Sequence, residues 1–256
     1  MRRFLFLIIL VIPSFVFAQT TNIVFEKTKN MKRQSGFFTF FVDEATGKIW
    51  LDIDKIGQEF LFVHSLPAGL GSNDIGLDRG QIGDTKIVFF ERVGKKLLLV
   101  QPNYDYRASS VDKNEKRAVK ESFASSTIGS FVIEEEQAGH LLVDATSFLL
   151  RDAHGVADKI RKMKQGTYAL NEGRSAIYIA NTKNFPKNTE VEATITLTGK
   201  ATGKSIKSVV PTPNAVTVRQ RHSFVQLPDD QYTPRVFDPR AGFNRVTFMN
   251  PISNFI

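Results

Sequence analysis

Cysteine is missing from the sequence altogether. Its absence excludes disulfides, thiolate metal sites, a cysteine nucleophile and a lipid anchor carried on cysteine. Histidine is scarce, and His64, His140, His154 and His222 stand far apart in the chain. A His-Glu-x-x-His hydrolase needs two imidazoles at i and i+4 of one helix, with the Glu beside the metal-bound water. No pair of these histidines has that spacing. There is no Gly-x-Ser-x-Gly elbow to serve a Ser/His/Asp set around His222. Long apolar runs are lacking too: the run Phe4–Val11 is short, and Pro13 breaks the stretch beyond it. That is too little for a spanning helix. No internal repeat and no low-complexity linker is present.

Phenylalanine, by contrast, is abundant: 22 residues of 256, in a chain 42% hydrophobic and 23% charged. These proportions suit a globular fold with a sizeable core, packed from aromatic and β-branched side chains as in sheet proteins. At the start, Arg2 and Arg3 precede the apolar run, and Val16-Phe17-Ala18 makes a small-residue cleavage site. Residues 1–18 therefore read as a cleaved signal peptide. The expected location is periplasmic or extracellular, with no stable membrane anchor. Removing those residues lowers the formal charge from +8 to +6. The remaining basic residues are spread out, and Lys113–Lys120 and Lys159–Lys164 read as solvated helix faces. A nucleic-acid partner would want a focused basic stripe with stacking aromatics, so none is expected.

Along the chain, 19–35 is polar and reads as a flexible lead-in. Gly36–Val42 and Lys48–Ile53 flank a five-residue loop ending in Gly47, a hairpin signal. Asp54–Gln58 suits one helical turn and Glu59–Ser65 a third strand. From Pro67 to Gly80 runs a glycine-rich loop. It has neither the Lys-Ser/Thr of a P-loop nor, at Asn73, Asp74 and Asp78, the spacing of an EF-hand. Glycines serving positive φ in a long turn explain it. Thr85–Val93 and Lys96–Gln101 pair about Gly94-Lys95, and Tyr104–Arg107 stays extended. Ser109–Ile128 reads as a helix of three to four turns capped by Asp112, with Ala118, Val119 and Phe123 on one face. Phe131–Glu136 and His140–Asp144 form another hairpin, with Glu134–Glu136 an exposed edge. Phe148–Leu150 and Val156–Met163 read as helical. Ser175–Asn181, Glu190–Thr198, Ser205–Val210 and Val216–Leu227 read as strands.

The expected fold is mainly β (α+β): an antiparallel sandwich or open barrel of about ten strands with two or three helical insertions. One β-rich domain spans 36–243, with sub-boundaries near 67 and 110. His140, Asp144, Asp152 and His154 form the one constellation that sequence proximity offers a metal. A hairpin histidine and a carboxylate capping Ala145-Thr146-Ser147 account for the first two more simply.

The last long strand empties into an extended arm. Pro228, Pro234 and Pro239 cannot donate to a sheet and bar a central strand or helix there. Arg219, Arg221, His222, Arg235, Asp238 and Arg240 are the candidate docking residues of this stretch, the arginines as bidentate donors to carboxylates.

Seven blocks carry a likeness: Gly69–Gln81, Val88–Asn103, Val143–Asp152, Arg174–Ile177, Asn184–Val191, Arg219–Phe224 and Phe237–Gly242. Their order resembles the N-terminal region, of uncharacterised function, of the large exported bacterial zinc-dependent metalloproteases, over Lys32 to Phe243. In that family a metzincin-like catalytic domain follows. No position here matches its zinc ligands or catalytic Glu, so no cofactor is expected in this chain and zinc only in that domain. The tail 244–256 departs from the family's continuation, which implies a truncated or split form. The resemblance implies a non-catalytic folding, inhibitory or substrate-positioning module whose partner is the protease domain, in cis or in trans. The alternative is a free-standing exported β-module that binds a glycan or a protein surface through aromatics such as Trp50, Tyr104, Tyr106 or Tyr232.

Overall fold

The computed structural model describes residues 25–229 together with Gln231, Thr233 and Arg240. The expected signal peptide, the tail 244–256 and most of the proline-rich arm lie outside the described residues.

Thirteen strands form one antiparallel sheet. They are β1 (Lys32–Gln34), β2 (Thr39–Asp43), β3 (Lys48–Ile53), β4 (Phe60–Ala68), β5 (Gln81–Val93), β6 (Lys96–Gln101), β7 (Ser126–Gln137), β8 (His140–Asp144), β9 (Gly166–Leu170), β10 (Ala176–Ile177), β11 (Lys183–Phe185), β12 (Asn188–Ala201) and β13 (Ala215–Gln226). Four helices interrupt them: α1 (Lys113–Ser122), α2 (Thr146–Leu150), α3 (Val156–Lys162) and α4 (Lys204–Val209). The spatial order is β1-β2-β3-β8-β7-β6-β5-β4-β13-β12-β10, and β9 and β11 also pair with β12.

Alternation sets the faces, since side chains along a strand point to opposite sides. On β12, Val191, Ala193, Ile195 and Leu197 point inward, and on β4 so do Phe60, Phe62, His64 and Leu66. The β7–β8 hairpin turns on Ala138 and Gly139, both at positive φ (50° and 84°). A two-residue turn of that hand matches the twist of the strands it joins.

The sheet nearly closes into a barrel. Its two ends meet where the β1–β2 connection reaches β11 and β12. Phe37 N donates to Phe185 O at 2.8 Å, and Phe38 N to Thr189 Oγ1 at 2.9 Å. Asn184 Nδ2 donates to the carbonyls of Gln34 and Phe38, both at 2.8 Å. Inside this seam Phe38 packs on Phe60, Phe90 and Phe224, with ring centroids 5.0, 5.6 and 6.1 Å away. Edge-on aromatic contacts of this kind add to area burial.

Apolar residues gather in two large clusters. One holds Phe40 of β2, Phe60 and Phe62 of β4, Phe90 of β5 and Phe224 of β13; the other holds Leu66, Ile75, Leu77, Val156, Ile160, Ile195, Ile206 and Val218. A third, small cluster of Phe25, Phe41, Trp50 and Leu142 lies apart.

Several expectations are corrected. The flexible lead-in is packed from Phe25 onward: Phe25 is buried, and the Glu135 carboxylate accepts from Glu26 N and Lys27 N at 2.8 and 2.7 Å. Glu134 and Glu136 are likewise paired, with Lys27 and Arg92, so the acidic run of β7 holds neighbouring segments. Asp54–Gln58 is no helical turn, because Ile56 bridges to Phe90 and Gly57 N donates to Phe90 O. The helix expected to reach Ile128 stops at Ser122, and Ser126 already begins β7. Ser205–Val210 is mostly α4, its apolar Ile206, Val209 and Val210 being spaced i, i+3, i+4 as a helix requires. Of Ser175–Asn181 only Ala176 and Ile177 pair with β12, between two 3-10 turns.

Asn184→Ala leaves the carbonyls of Gln34 and Phe38 without their shared donor at the closing seam. The expected loss is about 1–3 kcal/mol, read from the denaturant midpoint. A midpoint equal to the parent's would mean that the seam does not hold the barrel.

Candidate functional site: a histidine layer between two cores

Between the two large clusters the inward alternation turns polar. The strand pair β4–β13 sets His64 opposite His222 and Phe62 opposite Phe224. Gln220, two residues before His222, points the same way, and both are fully buried. The segment joining α2 to α3 crosses this strip. Its carbonyls need partners wherever they are buried. Gln220 Nε2 donates to Leu149 O at 3.1 Å and also to Arg151 O, while its Oε1 accepts from Ala153 N at 3.2 Å. His222 Nε2 donates to Leu149 O at 2.8 Å, and Phe62 stacks on the ring at 5.9 Å. Since Nε2 donates, Nδ1 is an acceptor, buried and without a partner. The crossing segment ends on Asp152, whose carboxylate accepts from Val156 N at 2.8 Å and Ala157 N at 2.9 Å, capping α3.

The far end of the layer opens to solvent. His64, 6% exposed, meets His154 edge to face with ring centroids 5.4 Å apart. Both rings lie over Gly83. A Cβ there would stand 2.2 Å from His64 Nε2 and 3.1 Å from His154 Nδ1, so only glycine fits. His154 Nδ1 is buried without a partner. The cleft holds about 430 Å³, and Asp84 and Lys159 line it beside the histidines. Lys159 Nζ donates to Gln81 Oε1 at 3.1 Å, and Lys86 Nζ to Asp84 Oδ2 at 3.1 Å.

Burial dominates the protonation of all three rings, because desolvation disfavours the imidazolium. It lowers His222 to about 3, against the opposing hydrogen bond to Leu149 O. Burial, reinforced by His154 and Lys86, lowers His64 to about 4. His154 is lowered by burial and then by Lys159. The layer is thus three neutral imidazoles at neutral pH.

The structure scatters the constellation that sequence proximity suggested for a metal. His140 Nδ1 pairs with buried Asp52 at 2.8 Å, and Asp144 with Lys48 at 2.8 Å while it accepts from Thr146 N. Asp152 caps α3 and His154 joins His64. Among the described residues, no group of three or more His, Cys, Asp or Glu has metal-holding geometry.

The docking candidates separate as well. Arg221 lies against Glu192, a fully buried carboxylate, with Nε donating to Oε1 at 3.0 Å. Arg219 stacks over Tyr178 at 4.4 Å. His222 faces inward in the layer. Arg240 is an exposed turn residue, and Arg235 and Asp238 lie outside the described residues. Of the aromatics, Trp50 is buried, the Tyr104 hydroxyl donates to Glu59, and Tyr106 stacks on Phe123 at 3.7 Å. Tyr232 is outside the described residues. The gathering of His64, His154 and Gln220 about His222 escaped the sequence. Its signal was polar residues at inward positions of two strands, in Phe60-x-Phe62-x-His64-x-Leu66 and Val218-x-Gln220-x-His222-x-Phe224.

A family model described as a domain of unknown function, DUF5117, matches residues 80–251, more than half of the chain. The chain belongs to that family. A second model, described as the domain of unknown function DUF5118, matches residues 26–69 ahead of the DUF5117 region. No curated protein and no solved structure matches the chain. The histidine layer draws on both regions, with His64 in the first and His154, Gln220 and His222 in DUF5117.

Gly83→Ala forces a Cβ into the His64 ring and should cost about 1–3 kcal/mol, measured by thermal unfolding. A neutral result would show that the rings can part freely. For pH, the folded values of His222 and His64 lie below the unfolded value near 6.5. The unfolded chain therefore binds more protons, and the stability present above pH 6.5 is lost as pH falls toward 4. His222 alone accounts for on the order of 3 kcal/mol by pH 4. His222→Gln, tested by urea unfolding from pH 7 to 4, flattens that part of the decline; an unaltered slope would contradict the assignment.

Proposed function

We propose that this DUF5117 chain is a non-catalytic module that works beside the catalytic domain of an exported zinc-dependent metalloprotease, supplied in cis or in trans. The observation that carries the reading is the use of the chain's chemistry-bearing side chains. Gln220, His222 and Asp152 hold its own crossing segment, and Glu192 holds Arg221. Ser223 Oγ donates to Glu190, whose other oxygen accepts from Asn188 Nδ2, but among the described residues no histidine shares a hydrogen bond with that carboxylate. The ordered sequence blocks shared with such proteases supply the identity of the partner. For the alternative, glycan binding, the buried Trp50 and the internally engaged Tyr104 and Tyr106 supply no solvent-facing aromatic row.

On this reading β13 delivers the arm to the partner, and Arg235 and Arg240 meet carboxylates on the protease domain. A charge-assisted hydrogen bond contributes about 1.5–3 kcal/mol. The double variant Arg235→Ala/Arg240→Ala should therefore bind a protease fragment at least about tenfold more weakly in a titrated pull-down. Equal binding by parent and variant would sink the docking role. Purified chain alone should give no chelator-sensitive band in zymography.

A further inference from the structure

The histidine layer has one end that the fold does not use. At its closed end, His222 and Gln220 hold the α2–α3 segment. At its open end, His64 is more than nine-tenths buried with its ring turned to His154 and Gly83, and the Nδ1 of His154 is buried without a partner. Nothing in the packing explains two imidazoles turned toward one another over a glycine that has no side chain to keep them apart. Buried polar atoms left without partners mark a site for something absent from the chain itself.

We propose that His64 and His154 form a two-imidazole site for a late first-row divalent metal ion, with water filling the remaining coordination positions. Imidazole nitrogen suits copper, nickel and zinc, whereas magnesium and calcium want a cage of carboxylate and carbonyl oxygens. The cleft offers no such cage. The nearest lysines already lean on neighbours, Lys159 on Gln81 Oε1 and Lys86 on Asp84 Oδ2, whereas the Nδ1 of His154 has no partner at all.

Two further features fit. The ligands come from rigid places: His64 from β4, paired on both sides, and His154 from the turn fixed by the Asp152 cap. The cleft is open to solvent, which gives the ion a path in. Two protein ligands beside the cations Lys86 and Lys159 make a site weaker than a four-ligand structural zinc site. The site is independent of any protease partner.

The test uses tag-free, chelator-stripped protein titrated calorimetrically with Cu²⁺, Ni²⁺ and Zn²⁺ separately. The Cu²⁺ sample is also read by electron paramagnetic resonance for equatorial nitrogen. One ion per chain and a two-nitrogen signature are expected. His154→Ala, at the more exposed ring, and His64→Phe, which keeps the volume of the buried ring, should each weaken binding at least tenfold. Circular dichroism verifies that each variant is folded. His140→Ala, remote from the cleft, should leave binding unchanged. Absence of binding at millimolar metal would overturn the proposal. So would equal affinity in folded His154→Ala and His64→Phe, or a loss caused by His140→Ala.

Discussion

The hydrogen bonds from Gln220 and His222 to the backbone of the α2–α3 segment are the constraint on which the interior depends. Where the chain enters the crossing between two apolar clusters, the Leu149 carbonyl is buried beyond the reach of water. An unmet carbonyl there would cost more than the bond itself is worth, because desolvation is already complete. The side chains that meet this need sit on β13 at positions that alternation turns inward, in register with His64 on β4. Two clusters of ordinary apolar packing can therefore share one sheet. Their boundary is specified by polar geometry, whereas most of the interior is specified by volume.

The same sheet joins what the two family models divide. Residues 26–69 contribute β1 to β4, and β4 lies between β5 and β13, strands of the DUF5117 region. Phe38 and Phe60 from the first region complete the aromatic cluster of Phe90 and Phe224 from the second. The glycine-rich loop from Gly69 to Gly80 is thus a connection within one barrel. Its Gly69 has no room for a Cβ, which would fall 2.0 Å from Leu77 O. Neither region buries its apolar face without the other.

Much of this is legible in the sequence where local signals and tertiary demands agree. The hairpins at Asp43–Gly47, Gly94-Lys95 and Gln137–Gly139, the capped α1, the β character of the whole and the long terminal strand all follow from turn chemistry and period. Strands of two to five residues, β1, β9, β10 and β11, escape the sequence wholly or in part, because a run that short has no period to count. They exist because β12 offers them an edge, or, for β1, because β2 does. The six residues of α4 resemble a strand for the same reason. In the candidate site, His222 is legible as a residue of the last strand but not as a core residue. Its burial depends on a segment some seventy residues earlier that needs a donor. Arg221 is legible as a cation, but Glu192, its buried partner, is set by the β12–β13 register alone.

The closing seam has a consequence for the chain outside its own fold. A sheet of thirteen strands that stayed open would offer two rows of unpaired amides to any neighbouring copy, and no disulfide is available to lock it. Here one margin of β12 is occupied by three short strands, and the β1–β2 connection is bonded across to Phe185, Asn184 and Thr189. Self-association through strand addition has no long template to grow from. A cysteine-free barrel thereby gains colloidal security from topology, in a chain whose phenylalanine content would otherwise invite cross-β aggregation.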